Sequence, residues 1–280
     1  MRQKQKKIFF VVVFVMFLSA CVTLESVQKY GTYTQTTIGI VRPVAQDFSD
    51  SCLRTNSYKP YVNYSKCESE LQASKAILKI ANVLNDYGAA LSALASDELV
   101  SYDADIDGLT KELKNLNIKN LDNQKVTAVG DLAKFIAKCA TSAYQQKQVE
   151  KFIKESNDSV KNVTNILADI IEKNYRQAVN EEISAWENDY KRVEKEARDK
   201  KPIEWASYSQ GQWHNREELE KKLNSTSDLA KSIREIGSTH EKLKNDADSL
   251  SSKEVAAYVR NFVNEVKPVI QEMQEAFSKK

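Results

Sequence analysis

The residues best equipped for chemistry in this 280-residue chain are four cysteines, two histidines and a handful of clustered carboxylates and aromatics. Cys52 would close one helical pattern and Cys67 open the next, with a twelve-residue link, roughly Leu53 to Tyr64, joining them. An antiparallel hairpin would bring those helix ends within the few ångströms a disulfide requires, and a loop of that size would contribute about 3 kcal/mol. Cys139 lies among Phe135, Ile136, Ala140 and Ala143 and reads as a small buried hydrophobe. The rival reading, a reactive or intermolecular thiol, lacks a neighbouring His or Asp. His240 falls on the apolar stripe of its helix, either as a core histidine or as a base whose nucleophile the sequence does not name. The pairs Glu181/Glu182 and Glu217/Glu218 read as solvated helical faces. The sequence contains no G-x-S-x-G, H-E-x-x-H, G-x-x-x-x-G-K or G-x-G-x-x-G, and two His cannot build a multi-His metal site. No catalytic residue, metal site or cofactor is implied, and whether the chain is an enzyme stays open.

The fourth cysteine has a different setting. Arg2, Lys4, Lys6 and Lys7 precede eleven unbroken apolar residues, Ile8 to Leu18, followed by Ser19, Ala20 and Cys21. A spanning helix needs about 20 apolar residues, so this run is too short and reads as the apolar core of a signal peptide. The site Leu18-Ser19-Ala20-Cys21 resembles the lipobox of bacterial lipoprotein precursors. That resemblance implies cleavage before Cys21, a diacylglycerol on its thiol and usually an acyl chain on the new amine. Two or more chains hold a protein on a membrane where one binds marginally. The plainer alternative is an anchor helix with Cys21 unmodified. Val22 and Thr23 follow where an inner-membrane lipoprotein tends to carry Asp, which by the same resemblance points to the outer membrane, facing the periplasm.

The expected organisation is therefore a signal peptide over 1–20, a lipidated tether over 21–25 and one all-helical domain over 26–280. Removing residues 1–20 takes four of the 41 basic residues and none of the 39 acidic ones, which turns a net charge of +2 into −2. Nucleic-acid binding, which needs a concentrated basic face, loses its support. Four N-x-S/T sequences, at Asn63, Asn157, Asn162 and Asn224, read as chance in a bacterial protein.

The elements that must position these residues are helices. Only seven Gly and four Pro occur, far too few turns for a sandwich, barrel or doubly wound sheet. Periodicity predicts about six helices in an elongated antiparallel bundle. The first spans Ser26 to Asp50, with Pro43 expected to kink or divide it. The second opens at Ser65-Lys-Cys-Glu68, a capping-box pattern, and its small residues from Ala89 to Ala95 should be the most buried. A short helix spans Asp103 to Leu116. The fourth runs from Val126 and is expected to reach Phe152 and Ile153. A long periodic segment, Ser159 to Asp199, would end as a charged arm over about residues 175–235 with its return partner. Ile203 to His214 is expected to be irregular. Its Trp205, Tyr208 and Trp213, with His214, form either a contact surface or an aromatic plug on the bundle end. Later helices start near Asn215 and Ser251.

These features lead to one expectation: a membrane-tethered protein that binds another envelope macromolecule without catalysis. The alternatives are an envelope scaffold or spacer, a phage-exclusion or toxin-immunity lipoprotein, and a small-ligand binder or enzyme with its site between helices.

Overall fold

The computed structural model describes residues 24–59, 65–98, 100, 102, 104–116, 118, 121–141 and 148–277. Cys21 and the signal-peptide and lipobox expectations lie outside them. Every regular element among the described residues is helical. They are α1 (Glu25–Gly39), α2 (Val41–Ser57), α3 (Glu68–Ala95), α4 (Ile106–Asn115), α5 (Asn123–Thr141), α6 (Val149–Asp169), α7 (Arg176–Ala197), α8 (Pro202–Asn245) and α9 (Lys253–Phe277), with a π-helical turn at Ile170–Tyr175 and a 3₁₀ turn at Ala247–Ser249. α1 runs on into α2, and α6 runs through the π turn into α7, so these α-helical segments make seven rods. None of them is long and apolar enough to cross a membrane.

Five rods close a ring around one apolar core. α1 packs on α3, α3 on α6, α6 on α8, α8 on α9, and α9 returns to α1. The core cluster runs unbroken from Val27 to Met273 and includes the fully buried Tyr30, Tyr87 and Tyr175. α5 covers α3 and α6, α4 covers α5, and α2 packs on α3 and α7. α1 and α3 approach closely, since a Cβ on Gly31 would stand 2.7 Å from the Gly88 carbonyl oxygen, and one on Gly88 would stand 2.8 Å from that of Gly31. Only residues without a side chain let two helix backbones come this near. Ala90, Leu91, Leu94 and Ala95 are buried beside them, whereas Ala89, Ser92 and Ala93 of the same run are half-buried, so the expected burial of the whole run is met only in part.

Several boundaries differ from the sequence reading, each for a physical reason. The first rod breaks at Ile40, and Pro43 falls in the first turn of α2, where its missing N–H has no helical acceptor to lose. The fourth helix ends at Thr141, and Phe152 and Ile153 belong to α6. α3 begins at Glu68 behind Cys67, whose φ of 54° is left-handed, and the expected Ser65–Glu68 capping box is not made. Ile203–His214 is not irregular. It forms the opening turns of α8, a single 44-residue helix started by Pro202. Trp205, Tyr208, Ser209 and Gln212 recur at helical spacing on the side facing α7, and their packing outweighs the roughly 1 kcal/mol that Gly211 costs a helix.

Chain direction follows from two cross-links between the first rod and α8. The Tyr30 hydroxyl donates to the Ile236 carbonyl at 2.8 Å, and Lys222 Nζ donates to Asp47 at 2.8 Å. Ascending α1–α2 therefore means descending α8. Residue 25 lies at one end of the molecule, and the α7–α8 turn lies at the other, about 60 Å away at 1.5 Å per helical residue.

Candidate functional site

Three places gather functional side chains. The first is sealed inside the ring. His240 Nδ1 lies 3.0 Å from Asn157 Oδ1, and its Nε2 lies 2.5 Å from the Tyr87 hydroxyl. Ser156 Oγ is 2.9 Å from that hydroxyl and 3.5 Å from Nε2. Asn157 Nδ2 donates to Asp158 Oδ1 at 3.2 Å. That leaves Oδ1 as the acceptor for Nδ1–H, so Nε2 accepts from Tyr87. Serine, histidine and an orienting amide are the residue types of a nucleophile, its base and its positioning group. The chemistry is nevertheless blocked. Ser156 donates to the Phe152 carbonyl at 2.7 Å, Tyr87 occupies the nitrogen that would take its proton, and Ser156, Tyr87 and His240 are wholly buried. Burial, then the charge of Lys244, push the His240 pKa down to about 3. His240 is thus a neutral core histidine, the first of the two readings its position allows.

The second place joins the α7–α8 hairpin to the ring. Arg54 on α2 grips Glu182 on α7 with two bonds, at 2.6 and 2.9 Å. It also pairs with Asp47 at 3.0 Å. Asp47 further accepts from the Tyr175 hydroxyl at 2.7 Å and from Lys222 at 2.8 Å. Two acids and two bases thus balance among α2, α7 and α8. Burial opposes the Arg54 charge, but the hydrogen bond to Glu182 and the fields of Asp47 and Glu182 hold it firmly protonated. Burial, then the Asp47 charge, raise the Tyr175 phenol well above its usual range. Tyr175 closes the π turn, and that extra residue per turn sets the register at which it meets Asp47. Glu182 is only 1% exposed, which corrects its reading as part of a solvated face; Glu181 beside it is exposed. The sequence did hold a signal for this. Val179, Glu182, Ile183 and Trp186 share one helical face, and Asp47 falls three residues after Val44, so both acids occupy core positions.

The third place is the hairpin itself. Buried side chains along α7 end at Trp186 and resume along α8 at Leu219. Beyond them Trp186, Tyr190, Trp205 and Tyr208 stack between the two helices, with ring centroids 5.2–6.2 Å apart. Trp186 Nε1 donates to Gln212 Oε1 at 2.7 Å, and the Tyr190 hydroxyl meets Ser209 Oγ at 2.9 Å. The Arg216 guanidinium lies 5.7 Å from the Trp186 ring centre and pairs with Glu187 at 3.0 Å. The aromatic cluster therefore divides. Trp205 and Tyr208 zip the hairpin together, whereas Trp213 is 72% exposed and His214 is exposed beside it. Ile203, at 83%, is the most exposed large apolar residue of the described chain.

Of the other sequence candidates, Cys52 and Cys67 form a disulfide. Asn56 reinforces it by exchanging hydrogen bonds with the Ser65 backbone at 2.7 and 3.0 Å. Cys139 is buried and takes no part in the bridge. An open groove of about 600 Å³ lies outside α7 and carries Lys59, Arg176, Gln177 and Asn180 among its walls. The chain matches no family of known proteins, no curated protein and no solved structure.

Proposed function

We propose that this chain is a bacterial envelope lipoprotein, anchored by lipid on Cys21, that acts by binding through the end of its α7–α8 arm. One observation carries the reading: Ile203 and Trp213 lie bare on a stiff hairpin at the opposite end of the molecule from residue 25. Large apolar side chains this exposed, set about 15 Å apart on one helix face, can mark a contact surface. The arm is stiffened by its aromatic zipper and by the Arg54–Glu182 joint, so a contact made at its tip is held at a fixed distance from the anchor. The lipobox supplies the other half of the argument, because α1 begins only four residues after Cys21.

The test has two parts. Mass spectrometry of the protein from native membranes should find diacylglycerol on Cys21 as the first residue, and Cys21→Ala should leave the chain unprocessed or release it. A product beginning at Met1, or one found free in the soluble fraction, overturns the anchor. A photo-crosslinking residue at position 213 should capture an envelope component in cells, while the same residue at position 254 should not. Equal labelling from both positions overturns the arm as the binding element.

A further inference from the structure

We infer that the arm tip docks on an anionic lipid surface, and that the protein links the membrane holding Cys21 to a second one. This deepens the reading above by naming the partner of the same tip, and the two-membrane part rests on the Cys21 anchor.

The tip carries the two features such a surface selects. One is an uncharged stripe. Ile203, Ala206, Gln210 and Trp213 follow one another at i, i+3, i+7 and i+10 along α8, and all four are exposed. From Trp205 to Asn215 this helix has no Asp, Glu, Lys or Arg. The other feature is positive charge set around the end of the stripe. Residues 191–204 contain six cations and four acids, among them the exposed Glu204 beside Ile203. Arg192 and Arg198 are tied to acids on their own helix. Lys191, Lys195, Lys200 and Lys201 are exposed and make no ion pair among the described residues. Lys200 and Lys201 immediately precede Pro202 and Ile203 at the turn.

The shape decides the class of partner. Ile203 and Trp213 stand largely in solvent, so they do not enclose a small ligand. Laid obliquely on a bilayer, the hairpin can place Ile203 at its turn and Trp213, about 15 Å farther back along α8, in the headgroup region, where Trp is favoured, while the unpaired lysines meet anionic headgroups. Each such lysine strengthens binding about fivefold. A single tip holds weakly. Many copies confined to one membrane multiply that hold through effective concentration. The tip lies about 60 Å along the helices from the residue next to the anchor, so it reaches away from its own membrane and toward another.

The experiment uses the native lipidated protein in donor vesicles of phosphatidylcholine. Fluorescent acceptor vesicles contain either phosphatidylcholine alone or phosphatidylcholine with phosphatidylglycerol. Donors should capture the anionic acceptors and leave the neutral ones. Capture should fall about 25-fold or more in Lys200→Glu/Lys201→Glu, and should also be lost in Ile203→Asp/Trp213→Asp, whose substituted sites are exposed and whose helical circular dichroism should not change. Equal capture of neutral acceptors, or undiminished capture by the charge-reversed variant, overturns the inference. So does capture that requires added envelope protein, which would assign the tip to a protein partner. Protein that washes off the donors speaks against the anchor alone. Its co-flotation with anionic vesicles then tests the tip directly: binding supports the lipid contact, and no binding overturns it.

Discussion

The two buried polar networks of this molecule solve the same problem in opposite ways. Around His240, the linked side chains of Tyr87, Ser156 and Asn157 are uncharged and shut off from solvent. At the arm base, Asp47, Arg54, Glu182 and Lys222 are joined by ion pairs. The difference follows from position. His240 sits in the middle of the five-rod ring, where an unpaired charge would face the full cost of desolvation, so only hydrogen bonds among uncharged groups fit. The arm base lies at the edge, where the Arg54 side chain is still 35% exposed and its charge is partly solvated. A charge-paired joint there also fixes orientation, because a guanidinium that grips a carboxylate with two bonds tolerates little rotation. The neutral network specifies the packing of the core; the charged one specifies the direction of the arm.

Acid offers the strongest way to break the comparison. The folded His240 pKa of about 3 lies below its ordinary 6.5, so between those values the unfolded chain binds the extra proton. Stability is therefore fully present above pH 6.5 and is lost as pH falls toward 3, by about 4–5 kcal/mol in total. Urea unfolding followed across that range should show this slope. His240→Gln, whose amide can still accept from Tyr87 and donate to Asn157, should flatten it. A slope unchanged in that variant would mean that the acid sensitivity lies in carboxylates and that the neutral network is not the pH-vulnerable one.

Removing one partner from the charged joint comes next. Arg54→Ala strands Glu182 with no other cation contact among the described residues and leaves Asp47 to Lys222 and Tyr175. The cost should be about 3 kcal/mol, the lower end for a buried pair because water can enter beside the exposed part of the site. Arg54→Met/Glu182→Leu should recover much of that loss, since an apolar pair needs no counter-charge. Hydrogen exchange at the base of α7 should rise in the single variant and less in the double. If the double variant is as unstable as the single, the packing of the arginine stem, not the ion pair, holds the joint.

How much of this was legible in the sequence depends on which physical signal carried it. The helical class was plain because apolar periodicity and scarce Gly and Pro point the same way. The Cys52–Cys67 bridge followed from hairpin geometry. The break at Ile40 was misplaced because proline marks a helix start as readily as a kink. The π turn left a trace in Leu167, Ile170, Ile171 and Tyr175, all fully buried, where the apolar stripe slips by one residue. Glu182 looks like a surface residue only if charge is weighed above position, since it lies on the stripe of Val179 and Trp186. The helical run through Trp205 to His214 was hidden because Ser, Gly and Gln signal turns locally. The aromatic contacts that override them come from α7, residues 186 and 190, which no local reading includes.

The smallest stability effect is expected at the tip, and it separates binding from folding. Ile203 and Trp213 make no hydrogen bond, ion pair or ring contact among the described residues, and most of their surface already faces water. Ile203→Asp/Trp213→Asp should therefore shift unfolding free energy by within about 0.5 kcal/mol, the usual range for exposed substitutions. Trp205 lies between them on the same helix but turns toward α7. Trp205→Ala should cost about 3 kcal/mol or slightly less, because it opens the zipper against Tyr190 and Tyr208 at a site only partly buried. Thermal unfolding of the two variants side by side decides the matter. A tip variant as unstable as Trp205→Ala would show that Ile203 and Trp213 are structural residues, and the contact surface would then have to be sought elsewhere on the arm.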